Sequence, residues 1–189
     1  MKKVAIFGLK FTRQTLDYVE EIQRECDKRS WTLCLEKETL DSLHQKYDFP
    51  LKHEVYSSYL DFKSQIDLMV CLGGDGSFLR AVRYIRDSGV PIVGINTGRL
   101  GFLSNISKES IAETFQLLED GHFEFQKRSL IRVQTQDDLF GEENFALNEL
   151  TLSKKDTAST ISVHAHFDGK YLHSYWADGL IVSTPTGSP

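Results

Sequence analysis

The stretch that most restricts the fold is IDLMVCL, Ile66 to Leu72, which runs directly into GGDGS. Its side chains are apolar on both faces after Asp67, so both faces must be covered, which is the situation of a central strand in a parallel sheet. Beyond the glycines, Phe78, Val82 and Ile85 recur at i, i+4 and i+7, and the spacing predicts a helix over 76–86 with one buried stripe. Buried strand, glycine-rich turn and amphipathic helix in succession form the repeating unit of an α/β sheet.

The chain before and after this unit continues the alternation. KKVAIFG (2–8) reads as a buried first strand, and Leu16, Val19, Ile22 and Cys26 make one face of a helix within Thr12–Arg29. WTLCLE is a second strand and Lys37–Lys46 a short helix, while YDFPLKHEVYSSYLDFKS, with a proline and mixed polarity, reads as irregular. PIVGIN is a further strand, and Ile111, Phe115 and Leu118 stripe a helix that Gly121 ends. This order indicates a doubly wound parallel-sheet domain over 1–126. From Phe123 the period drops to two: FEFQKRSLIRVQTQ, NFALNELTLSK, STISVHAHFDG, KYLHSYWADG and LIVSTPTGS read as strands, with DG turns at Asp168-Gly169 and Asp178-Gly179. An all-β domain is therefore expected over 127–189.

Charge and cysteine content narrow the partners. With 22 Lys and Arg against 27 Asp and Glu, a net charge of −5 gives no electrostatic reason to expect a nucleic acid or an anionic membrane. The apolar run at the start is too short for a signal peptide, and no run of about eighteen apolar residues occurs, so a soluble cytoplasmic protein is expected. Cys26, Cys34 and Cys71 are scattered, as reduced buried thiols would be. His164 and His166 share a strand face with no third ligand in view, so no metal site is assigned to the chain's own residues.

The chemistry concentrates where strands end. In an open α/β sheet ligands bind at the carboxyl ends of the strands, and GGDGS and NTGRLGFL both occupy that edge. Glycines let backbone N–H groups approach a phosphate, whereas Asp75 would repel one. A carboxylate beside a phosphate is useful for taking a proton from an attacking hydroxyl or for holding magnesium, and otherwise serves as a helix cap. Asn148 and Glu149 suit the adjacent hydroxyls of a ribose or the end of a ladder. Asp178 suits a hairpin turn or a site, and STPTGS (183–188) a surface loop or a ligand loop.

GGDGSFLRA, NTGRLGFL, ALNEL and ADGLIVSTPTGS, in this order and at this spacing, resemble the ATP-dependent NAD kinase family over nearly the whole chain. GGDG alone is shared in form with phosphofructokinases and lipid kinases. The resemblance implies an N-terminal α/β domain, an incomplete C-terminal β-sandwich, and a homodimer or homotetramer as the working form. It implies that Asp75 is the base for attack of the NAD ribose 2′-hydroxyl on ATP, with Mg2+ travelling on the ATP. It also implies that Gly74, Gly76 and Arg80 line the dinucleotide, that Leu100 and Phe102 lie against its adenine, and that Asn148, Glu149, Asp178, Thr186 and Ser188 complete the site. Trp176 stands where many members have arginine, and the family pattern runs on beyond Pro189, so the 189-residue chain alone is expected to bind NAD poorly and turn over little. A lipid or sugar kinase and a non-catalytic nucleotide-binding module are the competing readings.

Overall fold

The alternation of buried strand and amphipathic helix is realised as a five-stranded parallel sheet in a computed structural model that describes residues 2–47, 54–98, 101–155 and 159–187. The chain forms two compact units, Met1–Phe125 and Gln126–Pro189.

In the first unit the strands are β1 (Lys3–Gly8), β2 (Thr32–Glu36), β3 (Glu54–Tyr56), β4 (Leu68–Leu72) and β5 (Ile92–Ile95), in the spatial order β3-β2-β1-β4-β5. Helices α1 (Arg13–Lys28), α2 (Lys37–Lys46), α3 (Tyr59–Ser64), α4 (Asp75–Ile85) and α5 (Ile111–Asp120) connect or follow them. Period two along β1 divides the core. Val4 and Ile6 join Leu16, Val19, Ile22 and Cys26 of α1 and Ile111 and Phe115 of α5. On the other face Phe7 packs on Tyr84 of α4, which also meets Tyr56 and Phe62 edge-on or tilted. Helices therefore cover both faces, as the apolar character of β4, buried along its whole length, requires.

Two elements depart from the sequence expectation. The stretch read as irregular contains β3 and α3. β3 is a three-residue edge strand, too short to show a period, anchored where the Tyr56 hydroxyl donates to the Ile6 carbonyl at 2.7 Å. α3 forms because Ser58 and Asp61 make a capping box, the Asp61 carboxylate accepting the Ser58 N–H at 3.0 Å. Residues 48–53 of that stretch lie outside the described residues. At the end of the unit α5 stops where expected, with Gly121 left-handed at φ 73°.

A buried ion cluster joins α1 to α5. Arg29, 6% exposed at its side chain, holds Glu25 at 2.5 Å and Glu119 at 2.9 Å, and Lys28 reaches the other oxygen of Glu25 at 2.5 Å. Burial pushes the Glu25 carboxyl up, but the hydrogen bonds from Lys28 and Arg29 outweigh it and hold the group below its ordinary value.

The second unit holds three small antiparallel sheets. β6 (Ile131–Arg132) pairs β7 (Phe145–Ala146), β8 (Glu149–Ser153) pairs β11 (Gly179–Ser183), and β9 (Ile161–Phe167) pairs β10 (Lys170–Ala177). The β9–β10 turn is Asp168-Gly169, both residues at positive φ (49° and 76°), as a two-residue primed turn demands. Asp178-Gly179 is not a hairpin turn. It is the junction at which the chain leaves one sheet and enters another, fixed by the Lys154 N–H on the Asp178 carbonyl at 2.9 Å and the Lys154 ammonium on its carboxylate at 2.7 Å. Of FEFQKRSLIRVQTQ only Ile131–Arg132 finds a ladder partner, because pairing and not alternation alone makes a strand. Among the described residues no helix is long and apolar enough to cross a membrane.

Candidate functional site

The strand order reverses between β1 and β4, since β2 and β3 lie on one side of this pair and β5 on the other. Gly8 stands opposite Leu72 at the carboxyl edge, so the loops after β1 and β4 emerge side by side at the point where open α/β sheets bind ligands. GGDGS is the second of those loops. Gly73 has φ +136°, a conformation closed to other residues without strain, and its N–H is tied to the Ile95 carbonyl at 3.0 Å. Gly74 is the residue before α4, and a Cβ at either Gly74 or Gly76 would meet nothing within 4 Å. The backbone at this edge is thus open to a ligand on its glycine side.

Asp75 is the first residue of α4, not its cap: the cap is Gly74, and no side chain caps this helix. The Asp75 carboxylate instead turns to the loop after β5. Oδ1 accepts the N–H groups of Leu103 (2.9 Å) and Ser104 (3.3 Å), and Oδ2 that of Phe102 (3.0 Å). Three successive backbone donors converging on one anion form a nest. Burial raises the Asp75 carboxyl, but these donors outweigh it and leave the group below its ordinary value, ionised at neutral pH. A carboxylate oxygen has two lone-pair sites, so Oδ1 is filled and, among the described residues, Oδ2 has one donor and one site left for a hydroxyl.

The loop carrying the nest is itself braced. Asn96 donates through Nδ2 to the Ser104 carbonyl (3.1 Å) and accepts the Gly98 N–H (2.7 Å), while Gly101 N–H donates to the Ser104 carbonyl (3.2 Å). Phe102 is 97% exposed, its ring standing off a backbone that is fixed, and it is therefore available to a flat ligand within this unit. Leu100, expected beside it, lies outside the described residues.

Arg80 lies elsewhere on α4. Five residues of helix turn a side chain by about 140°, so Arg80 and Asp75 do not share a face. Arg80 instead lines a cavity of about 520 Å³ between the loop after β1, the end of β2, α2 and α4, together with Lys10, Lys46 and Arg83. Glu36 in its wall accepts the Tyr84 hydroxyl, and Thr39 donates to it at 2.9 Å. Burial first, then the Glu36 hydrogen bond, push the Tyr84 phenol far up, so Tyr84 remains a donor. Four cations against two carboxylates, Glu36 and Glu38, make the cavity net basic.

In the second unit the structure brings together Asn148, Glu149 and the turn after β11. Thr184 N–H donates to the Asn148 carbonyl (2.8 Å) and its hydroxyl to the Leu147 carbonyl (2.6 Å), and Ser183 pairs with Glu149. Thr184 Oγ1 also accepts the Thr186 N–H at 3.1 Å. Oδ1 of Asn148 is buried with no hydrogen-bond partner among the described residues. Asp178 is not part of this cluster: it precedes the five-residue β11 and Thr184 follows it, so the length of the strand, about 20 Å between the two residues, separates them. Ser188 lies outside the described residues.

Several of these groups carry no local signal in the sequence. Arg80 and Arg83 stand three residues apart on α4, whereas Lys10 and Lys46 join them only through the topology. Arg128, whose guanidinium donates to Thr186 Oγ1 at 3.1 Å, is 58 residues from its partner and left no local signal. Gly101 stood inside NTGRLGFL, and nothing in the spacing distinguished it from Gly98.

Residues 4–123 match the profile of the ATP-NAD kinase N-terminal domain. An NAD kinase of Christiangramia forsetii is 39% identical over 190 residues, covering 98% of this chain, and the chain spans 64% of that relative's length. The crystal structure of a yeast NADH kinase complexed with NADH superposes with a TM-score of 0.81 at 22% identity, over 98% of this chain and 58% of that one. An NAD kinase from Archaeoglobus fulgidus in complex with ATP superposes with a TM-score of 0.62 at 23% identity, over 96% of this chain and 60% of that one. At these identities the two structures establish the fold: a parallel α/β sheet followed by small antiparallel sheets.

Proposed function

The chain belongs to the ATP-NAD kinase N-terminal domain family, and from that premise we propose that the native gene product transfers the γ-phosphoryl group of ATP to the ribose 2′-hydroxyl of NAD, giving NADP and ADP. The observation that carries the reading is Asp75, an ionised carboxylate fixed by three backbone donors at the carboxyl edge of the sheet, with one lone pair of Oδ2 left over among the described residues.

In the proposed reaction the ribose oxygen bonds to the γ-phosphorus as the bond from that phosphorus to the bridging oxygen breaks. The hydroxyl proton passes to Oδ2 of Asp75, and ADP carries away the bonding electrons. A loose phosphoryl-transfer transition state deprotonates its nucleophile late, so a carboxylate of lowered basicity suffices and its fixed position matters more. Gly74 and Gly76 leave the backbone accessible to the dinucleotide, and Leu100 and Phe102 are proposed to lie against its adenine. Arg80, with Lys10, Lys46 and Arg83, offers positive charge to phosphate groups. Asn148, Glu149, Asp178, Thr186 and Ser188 are proposed to hold the polar parts of the dinucleotide, the orphaned Asn148 Oδ1 being the atom most in need of a donor. Magnesium is proposed to travel with the ATP and to neutralise its phosphates. We place the enzyme in the cytoplasm as a homodimer or homotetramer, and 1–126 and 127–189 as its N-terminal domain and the start of its β-sandwich, on the family resemblance.

The test is an acceptor panel. The native gene product is incubated with MgATP and, separately, NAD, a diacyl lipid and fructose 6-phosphate, and NADP is the expected product. Phosphorylation of the lipid or sugar with NAD untouched would overturn the reading. Calorimetric binding of NAD with no NADP formed would replace it with a non-catalytic module.

A further inference from the structure

We infer that Gly101 is a positioning residue for Asp75: the space a side chain would fill at 101 is occupied by the Asp75 carboxylate, so this glycine lets the carboxylate seat in the nest of the next three N–H groups. A Cβ built on Gly101 would clash with Oδ1, lie 2.8 Å from Cγ and 3.1 Å from Oδ2. The first two approaches are closer than unbonded atoms come, and Cγ is held to the backbone of α4 through one bond to Cβ, so the carboxylate cannot yield without leaving the nest. Gly101 has no left-handed φ, so the need for glycine here is steric and comes from one partner.

The loop cannot yield in the other direction either. Ser104, fully buried, sits against Gly94 of β5, where an added Cβ would come within 2.7 Å of its Cα and of the Leu103 carbonyl oxygen. Asn96 holds the Ser104 carbonyl at 3.1 Å, and the Ile106 N–H donates to the Gly94 carbonyl at 3.3 Å. Wedged between β5 and the first turn of α4, the 101–104 backbone fixes both oxygens of Asp75 at once. The free lone pair of Oδ2 thereby acquires a direction, which a proton acceptor acting on one hydroxyl needs. The consequence for catalysis rests on the proposed kinase reaction, whereas the steric coupling of Gly101 to Asp75 does not.

The experiment is a double-mutant cycle. Hydrogen exchange of the Phe102, Leu103 and Ser104 amides is read by NMR in wild type, Gly101→Ala, Asp75→Ala and the double variant. Gly101→Ala is expected to lower Leu103 protection at least tenfold in the wild-type background and less than twofold once Asp75 is Ala. Equal losses in both backgrounds, or no loss in either, would overturn the inference. Should Gly101→Ala fail to fold, the double variant decides: recovery of the fold supports the coupling and continued failure overturns it. In the native gene product Gly101→Ala is expected to cut kcat at least tenfold with KM for ATP within threefold. If exchange behaves as expected but no NADP forms from wild type, the positioning stands and the kinase reading falls.

Discussion

Leu103 N–H donates to Oδ1 of Asp75 at 2.9 Å across 28 residues of sequence, and this bond ties the first turn of α4 to the loop after β5. Charge-assisted hydrogen bonds of this kind contribute about 1.5–3 kcal/mol each in favourable settings. Asp75→Asn retains one oxygen but sets an NH2 group against the Phe102 N–H, donor facing donor. The variant is expected to lose about 1–3 kcal/mol of stability in urea unfolding, along with its turnover. Stability equal to wild type would mean that the nest does not hold the carboxylate in solution.

Two carboxylates make stability depend on acid. Asp75 and Glu25 both have folded-state values below their ordinary ones. Each therefore contributes stability that is fully present above the ordinary carboxylate range, about 4 to 4.5, and is lost as pH falls through the depressed folded values. The urea midpoint of wild type is expected to hold from pH 7 to about 5 and to fall steeply below 4. Glu25→Gln is expected to show a shallower acid slope, and a slope equal to wild type would contradict the assignment.

Arg29 is expected to be the costliest cation to remove. Truncation to Ala leaves Glu25, 2% exposed, with Lys28 alone and severs the tie to Glu119 on α5. Breaking a buried pair in this way costs about 3–5 kcal/mol, whereas Arg24→Ala, which loses only a surface partner, should cost under about 1 kcal/mol. Calorimetric melting of the two variants separates these outcomes.

The thiols should be silent in the native protein. Burial pushes Cys26 and Cys71 up to about 12 and Cys34 up to about 11, and all three are buried. A thiol reagent such as DTNB is expected to label none of them within minutes at pH 8 and all three after denaturation. Rapid native labelling would show that the core opens readily.

The first unit was legible because β4 and its neighbours carry unbroken apolar runs and α1, α4 and α5 carry stripes of period 3.6. What escaped was short or remote. β3 and α3 rest on a three-residue pairing and a capping box, and the nest on Asp75 joins groups 27 to 29 residues apart. Asp75 stood out in the sequence as a charge among glycines, yet its partners are backbone N–H groups, which every residue but proline carries and no motif can advertise. In the second unit alternation located the segments, but which segments pair was decided by partners that period two does not specify: Asp178-Gly179 reads as a turn and is instead a passage between sheets.

The central claim, that Asp75 takes the proton of the NAD ribose hydroxyl as phosphate arrives, is tested most directly by 31P NMR of the native gene product turning over MgATP and NAD. A 2′-phosphate resonance growing in step with ADP is expected for wild type, and none above background for Asp75→Asn. A 2′-phosphate formed by Asp75→Asn at the wild-type rate would contradict it.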